Sequence, residues 1–550
     1  PEIKYNGSDT NSINGAYRFR YLDAFNVLKT DDIFIKGRYI YKNLDSPVLL
    51  KSDATDGRFT FTVLNNKLFM SNGISFPLVY DGSVISEMGA PSVIKSGESG
   101  VLSGSYYYAM TYKIGSEQIT GTISNTITIS GLKATVNIPL APTGTTERKI
   151  YRTAANGTVL KLLTTISNNS DLTYLDNSLD GALGADIGQT NNECPKPYFI
   201  TTAYERLVGC VLSDYPTSVF ISDSGVEMWN GAVFNDVSNI DGDNTPIKGM
   251  ARDYNKAIIG SEKNIYILDA SETTPTITAS RSNVGVRDGY TMATVPTDND
   301  FVGGVFFVST LNDVRLFNGN FSQPVATSLD NLRTDNWSEE IQNTFIQESK
   351  TTNIFASIFH GYKYHLAMDS SLYIFDIRLQ AWSYYKIATA SYQLNVNCFS
   401  VIDDKLYSGQ KNNSIIEEWY LNKQYRGEDP IVMFSSPQLL YSDKYKWFDS
   451  LDIIFALGQN NKWQLNIITD GDYNNKIVVN ANFSGASFFS GDFDPGDFSA
   501  SENMEDFRVV YIKRFARFIQ FEIIANEEFF YFKGFKLNYS DVNNKEALVG

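Results

Sequence analysis

Lys263-Asn264-Ile265-Tyr266-Ile267 is a polar turn followed by an apolar, aromatic, apolar strand, and the phrase recurs along the chain. Asn66-Lys67 precedes Leu68-Phe69-Met70, and Pro216-Thr217-Ser218 precedes Val219-Phe220-Ile221. Asn312-Asp313 precedes Val314-Arg315-Leu316, Ser370-Ser371 precedes Leu372-Tyr373-Ile374, and Asp403-Asp404-Lys405 precedes Leu406-Tyr407. An apolar run before most of these turns, such as Phe59 to Leu64 or Val305 to Ser309, makes the unit a hairpin. From Phe220 to Tyr407 the units are centred about 47 residues apart, a spacing that reads as four-stranded propeller blades. One such sheet cannot cover both its faces alone, whereas stacked sheets can.

The expected fold is therefore all-β: a six-bladed β-propeller, with seven as the alternative count, an inserted immunoglobulin- or fibronectin-like sandwich, and a β-rich C-terminal region. Residues 1–55 read as an N-terminal arm that could close the ring. Residues 56–98 read as blade 1, and 191–427 as blades 2–6. Between them, 99–190 carries short strands about a dozen residues apart, which indicates a sandwich. Gly104 to Tyr112, Thr122 to Ile129 and Arg148 to Thr153 are among its strands, and no cysteine pair pins it. Residues 428–550 lose the period but stay β-like, as an extra sandwich or a closure of the propeller.

Composition narrows the function. Of 550 residues, 62 are Asp or Glu and 46 Lys or Arg, a net charge of −16 that argues against tight nucleic-acid or anionic-membrane binding. No apolar run reaches the length of a membrane span. Cys194, Cys210 and Cys398 form no CxxC pair and no disulfide framework.

Candidate chemistry is sparse. His360 and His365 are the only histidines, and their odd spacing places them on opposite faces of a regular strand, which disfavours a metal site. No G-x-S-x-G, P-loop or H-E-x-x-H is present. Ser222 to Trp229 contains the Ser, Asp, Gly and Trp of a sialidase turn at the wrong spacing, and reads as a tight turn with Trp229 packed inside. Asp241-Gly242-Asp243 and Asp494-Pro495-Gly496-Asp497 lack a full cation-ligand series and read as acidic turns. Lys513, Arg514 and Arg517 alternate with apolar residues and read as salt-bridge partners for a neighbouring subunit. No catalytic, cofactor-binding or metal residue is assigned, and no cofactor is expected.

Three phrases carry a resemblance. They are Arg206-Leu207-Val208-Gly209 with Val219 to Asp223 and Trp229; Ile247-Lys248-Gly249-Met250 with Ala257 to Gly260 and Asn264 to Leu268; and the sandwich strand Arg148 to Thr153. In these the chain resembles the propeller proteins of short-tailed bacteriophages, called tail nozzle, tail hub or packaged-DNA stabilisation proteins. The resemblance implies a non-enzymatic virion tail part, assembled in the host cytoplasm as a homo-oligomeric ring, a hexamer. Such a ring retains packaged double-stranded DNA and passes it at ejection. It contacts portal and adaptor proteins and tail fibres or spikes, without membrane insertion. The alternative reading is a carbohydrate-handling propeller, either a glycosidase or a glycan-binding adhesin.

Overall fold

The computed structural model describes residues 2–6, 10–119, 122–188, 194–230, 233–296 (save 273, 281 and 283), 303–319, 335–336, 348, 355–419 (save 369–370, 379–380 and 387–394), 432–435 and 445–541 (save 457–461, 473–474, 483–504 and 526–530). It is all-β, with only brief helical turns among these residues.

Along most of the chain the strands form hairpin-linked antiparallel sheets taken in sequence order. The first sheet is Ile13–Leu22, Leu28–Lys36, Tyr39–Lys42 and Val48–Lys51. The second is Thr60–Leu64, Lys67–Ser71, Leu78–Tyr80 and Ile85–Glu87. Three more open with Phe199–Ala203, Ile247–Asp253 and Ala293–Val295. A further sheet, Val396–Ile402, Lys405–Gln410 and Ile415–Glu418, takes its fourth strand from Glu2–Asn6. The hairpins follow from turn chemistry. Asn65 and Asn66 both adopt positive φ, at 48° and 64°, the mirror-image turn that matches strand twist and that asparagine tolerates.

The opening strands of successive sheets pack side by side, and Val396–Ile402 touches both Phe355–His360 and Ile13–Leu22. Polar stitches cross these seams. Thr60 Oγ1 donates to the Tyr198 carbonyl at 2.9 Å, and Asn397 Nδ2 to that of Ile13 at 2.9 Å. Tyr364, fully buried, donates to the Thr291 carbonyl at 2.8 Å.

The expected six- or seven-bladed propeller is corrected. The described chain forms several small open sheets of three or four strands and one of eight, and no sheet closes on itself. The unit read as the fifth blade, Phe355–His360 to Ala381–Lys386, is half of that eight-stranded sheet. Its outer strand pairs with Val432–Ser435, and Ile519–Ala525, Lys462–Thr469 and Ile477–Asn482 follow. The unit count also starts earlier, because residues 13–51 form a complete sheet. The physical reason is locality: a turn between two alternating strands specifies a hairpin, but not what lies against its outer edge.

Residues 92–176 form two facing sheets. One is Ser92–Tyr106, Ile127–Asn137 and Thr173–Asp176; the other is Ser116–Ile119, Tyr108–Ile114, Glu147–Thr153 and Leu160–Ile166. Val93, Leu102, Met110, Val136 and Ile150 fill the space between them. In place of a disulfide, fully buried Arg152 on one sheet meets fully buried Asp176 on the other at 2.7 Å, and Tyr108 donates to the same carboxylate at 2.9 Å. At the far end Lys446–Ala456 lies between Glu505–Ala516 and Tyr531–Asp541. There Phe448, Leu451, Leu465 and Phe521 share a core.

One close backbone approach sets the middle of the molecule. A Cβ on Gly249 would lie 2.1 Å from the Gly289 Cα. Gly249→Ala therefore forces apart the strand Ile247–Asp253 and the turn Gly289–Thr291. The expected loss is about 3 kcal/mol, of the size of a core overpacking, read as a lower urea midpoint with an unchanged slope.

Candidate functional site

Two polar places stand out. The first is the junction where the opening strands meet. Arg58, just before the second sheet, reaches across to the fifth: its guanidinium lies 3.5 Å over the Tyr290 ring. It also donates Nη1 to the Phe355 carbonyl at 2.7 Å, while its buried Nε meets no acceptor. Burial pushes the Arg58 pKa down and that of Tyr290 up to about 12. Burial also raises Asp288, against the pull of the Tyr290 amide and of Arg58. This cluster cements distant parts of the chain.

The second is a cleft of about 420 Å³ between the second sheet, the sandwich and the turn that carries Glu227. Lys67 and Asp81 sit side by side because they flank the register pair Leu68↔Tyr80. Lys67 Nζ meets Glu227 Oε2 at 2.6 Å, a half-buried pair. Asp81 is fixed from behind, since its Oδ1 accepts the Ser83 and Val84 amides, both at 2.9 Å, and Ser92 Oγ donates to Oδ2 at 3.2 Å. Asn137 donates Nδ2 to Ser92 Oγ at 3.3 Å. The floor is apolar: Val79, Ile138, Pro139, Leu140 and Leu172.

Arg148 holds that floor. Its side chain, on the inward face of its strand, donates to the carbonyls of Asn168 at 3.0 Å, Pro139 at 3.1 Å and Asp171 at 2.7 Å. The loops beside Leu140 and Leu172 are thereby tied to one buried cation. Thr143 N donates to Asp223 Oδ2 at 2.6 Å and ties the sandwich to the third sheet. The arrangement offers two carboxyl groups, an amide and a lysine amine above an apolar surface. That suits a ligand with many hydroxyl groups and apolar C–H faces.

The residues singled out from sequence fall elsewhere. His360 and His365 occupy two strands joined by a turn, and register pairs His365 with Ile358 and His360 with Lys363. His365 is fully buried, and desolvation lowers its pKa to about 3. Among the described residues no group of three histidine, cysteine or acidic side chains could hold a metal. Trp229 is buried and donates Nε1 to the Leu207 carbonyl at 3.1 Å, while Glu227 of the same turn enters the cleft.

Asp241 accepts from Asn264 at 2.9 Å and from Tyr266 at 2.9 Å, and Asp243 accepts from Thr245 at 2.7 Å, so both are occupied turn residues. Asp494 to Asp497 lie outside the described residues. Arg514 donates to the Asn475 carbonyl at 2.5 Å. Lys513 lies 5.6 Å from the Tyr511 ring and Arg517 5.2 Å from that of Tyr445, all contacts within this chain. Sequence reasoning missed Lys67, Asp81, Asn137 and Glu227, which no local motif joins.

No family model and no curated protein matches the chain. Among solved structures it is similar to an exo-β-1,3-galactanase from Phanerochaete chrysosporium with galactose, at 9% identity over 62% of this chain and 95% of that one, TM-score 0.22. A variant of that enzyme with β-1,3-galactotriose matches at the same identity and coverage, TM-score 0.21. The extracellular domain of a one-component system from B. thetaiotaomicron matches at 9% identity over 88% of this chain and 95% of that one, TM-score 0.15. Scores of this size assign neither fold nor activity.

The resemblance to phage tail nozzle proteins is corrected. No family model and no curated protein ties the chain to tail components, none of the three structures named above is one, and the role of a tail ring conducting DNA has no support. The virion, tail and DNA-ejection terms fall with it. The phrases that carried the resemblance, Arg206–Cys210 and Ser218–Ile221 among them, are buried hairpin strands that any packed sheet of this kind requires. The expectation of a non-enzyme is corrected as well, since it rested on the tail reading alone.

Proposed function

We propose that this chain handles carbohydrate, seating a glycan in the cleft between the second sheet and the sandwich. The observation that supports it is the row Asp81, Lys67 and Glu227 above an apolar floor. Carboxylates accept paired hydrogen bonds from neighbouring sugar hydroxyls, the ammonium donates to ring or hydroxyl oxygens, and the floor receives the C–H face. Arg148 keeps both sides of that floor in place before a ligand arrives. Two carboxylates in one cleft are also the groups that glycoside hydrolysis uses.

The test is a neutral-oligosaccharide array with the full chain, β-1,3-galactotriose included, run beside an assay of reducing-sugar release. Asp81→Asn and Glu227→Gln should each weaken glycan binding by about tenfold, the scale of one charge-assisted hydrogen bond. Binding without sugar release marks a glycan-binding protein. Release that disappears in either variant marks a hydrolase. Glycan binding unchanged in both folded variants, or absent from the array, overturns the proposal.

A further inference from the structure

A second cleft, of about 530 Å³, opens where the turns of the fourth and fifth sheets meet. Lys248, Glu262, Lys263, Arg287, Thr310 and Asn312 line it. Arg287 is half-buried, its guanidinium 5.3 Å from the centre of the Phe355 ring, and its Nη1 donates to Asn312 Oδ1. Among the described residues no carboxylate stands within ion-pair distance of it; adjacent Asp288 accepts the Tyr290 amide instead, at 2.7 Å. Lys248 meets Glu262 at 2.5 Å, and exposed Lys263 meets Asp243 at 3.5 Å. Set against Lys248, Lys263, Arg287 and nearby Arg58, the carboxylates of Glu262, Asp243 and Asp288 leave one cation in excess. In a chain of net charge −16 that excess runs against the general field.

The rim is built, not loose. Val286 N donates to the Ser261 carbonyl at 2.7 Å, Arg287 N to that of Val308 at 2.9 Å, and Thr310 N to that of Gly285 at 3.1 Å. Gly285 presses so closely on the neighbouring turn that a Cβ would lie 2.0 Å from the Glu262 carbonyl carbon. The backbone carrying Arg287 is thus laced to both turns that carry its companions. A guanidinium held on one side by an amide and an aromatic ring, with its other N–H groups uncommitted, is prepared for a planar or tetrahedral anion.

We propose that this cleft binds a single oxyanion, the carboxylate, sulfate or phosphate group of a ligand, between Arg287, Lys248 and Lys263. The site is separate from the Asp81–Glu227 cleft and does not depend on the carbohydrate reading. Titration calorimetry of the full chain with sodium sulfate, sodium phosphate and sodium glucuronate, at ionic strength matched with chloride, tests it. Saturable binding of at least one of them over chloride is expected, weakened about tenfold in Arg287→Gln and severalfold in Lys263→Gln. Lys263 is exposed, so its replacement leaves the fold intact and the test readable even if Arg287→Gln unfolds. Glucuronate binding well above phosphate identifies an acidic sugar as the source of the group; the reverse order identifies free phosphate. No saturable binding over chloride, or affinities unchanged in the folded variants, overturns the proposal.

Discussion

Replacing Asp176 with alanine will destabilise the sandwich by about 3–5 kcal/mol, the cost of stranding a buried cation. Arg152 has no route to water, since its side chain and that of Asp176 are both fully buried. Its second contact, Nη2 to Asp180 at 2.8 Å, reaches a carboxylate that is 39% exposed and cannot neutralise it as well. Tyr108 loses its acceptor in the same step, and burial has already pushed its hydroxyl pKa far up, so ionisation offers no relief. Replacing the pair together, Arg152→Met with Asp176→Leu, should recover most of the loss, because two apolar side chains owe no desolvation. Urea unfolding of the wild type, Arg152→Met, Asp176→Leu and the double variant, with Asp176→Ala beside them, measures it. A loss under 1 kcal/mol in Asp176→Ala would show that the pair does not hold the sheets together.

The second large effect is a pH dependence centred on His365. Desolvation, with Lys363 and His360 adding to it, lowers its folded pKa to about 3, whereas the unfolded value is near 6.5. The unfolded chain therefore binds a proton that the folded chain refuses throughout that interval. Stability falls as pH drops from about 6.5 towards 3, and the term is flat above the interval. Between pH 7 and pH 4 it amounts to about 3 kcal/mol at 1.36 kcal/mol per unit. His365→Gln removes the titration, so its unfolding free energy should lose that much less over the same range. Parallel pH profiles in the two proteins would contradict a neutral, buried histidine.

The hairpins were legible in the sequence because their cause is local. Asn65-Asn66 and Lys263-Asn264 supply turn chemistry, and flanking residues alternate with the two-residue period of a strand. The edges were not legible. Nothing in Ala381–Lys386 announces that Val432–Ser435 will pair with it, some fifty residues on, since any alternating strand offers the same backbone groups. The expectation that the two histidines lie on opposite faces is overturned: a turn at Gly361-Tyr362 puts them on adjacent strands, and the register places both on one face as diagonal neighbours.

The cleft was hidden for the same reason as the edges. Lys67 and Glu227 are 160 positions apart and meet only because the second and third sheets pack side by side. One signal lay open. Arg148, Ile150 and Arg152 share a parity, so the face that buries Ile150 must also bury two guanidiniums, which demands acceptors such as Asp176 and the carbonyls beside the cleft.

The pairing of Glu2–Asn6 with Ile415–Glu418 has a consequence for how the chain is made. A ribosome adding roughly 5–20 residues per second needs on the order of tens of seconds to travel from the first strand to its partner. Throughout that time the first strand has no place in a sheet, while the hairpins behind it can form as they emerge. The last sheet of the series is thus finished by a segment made about four hundred residues earlier, and its assembly waits for translation instead of for diffusion.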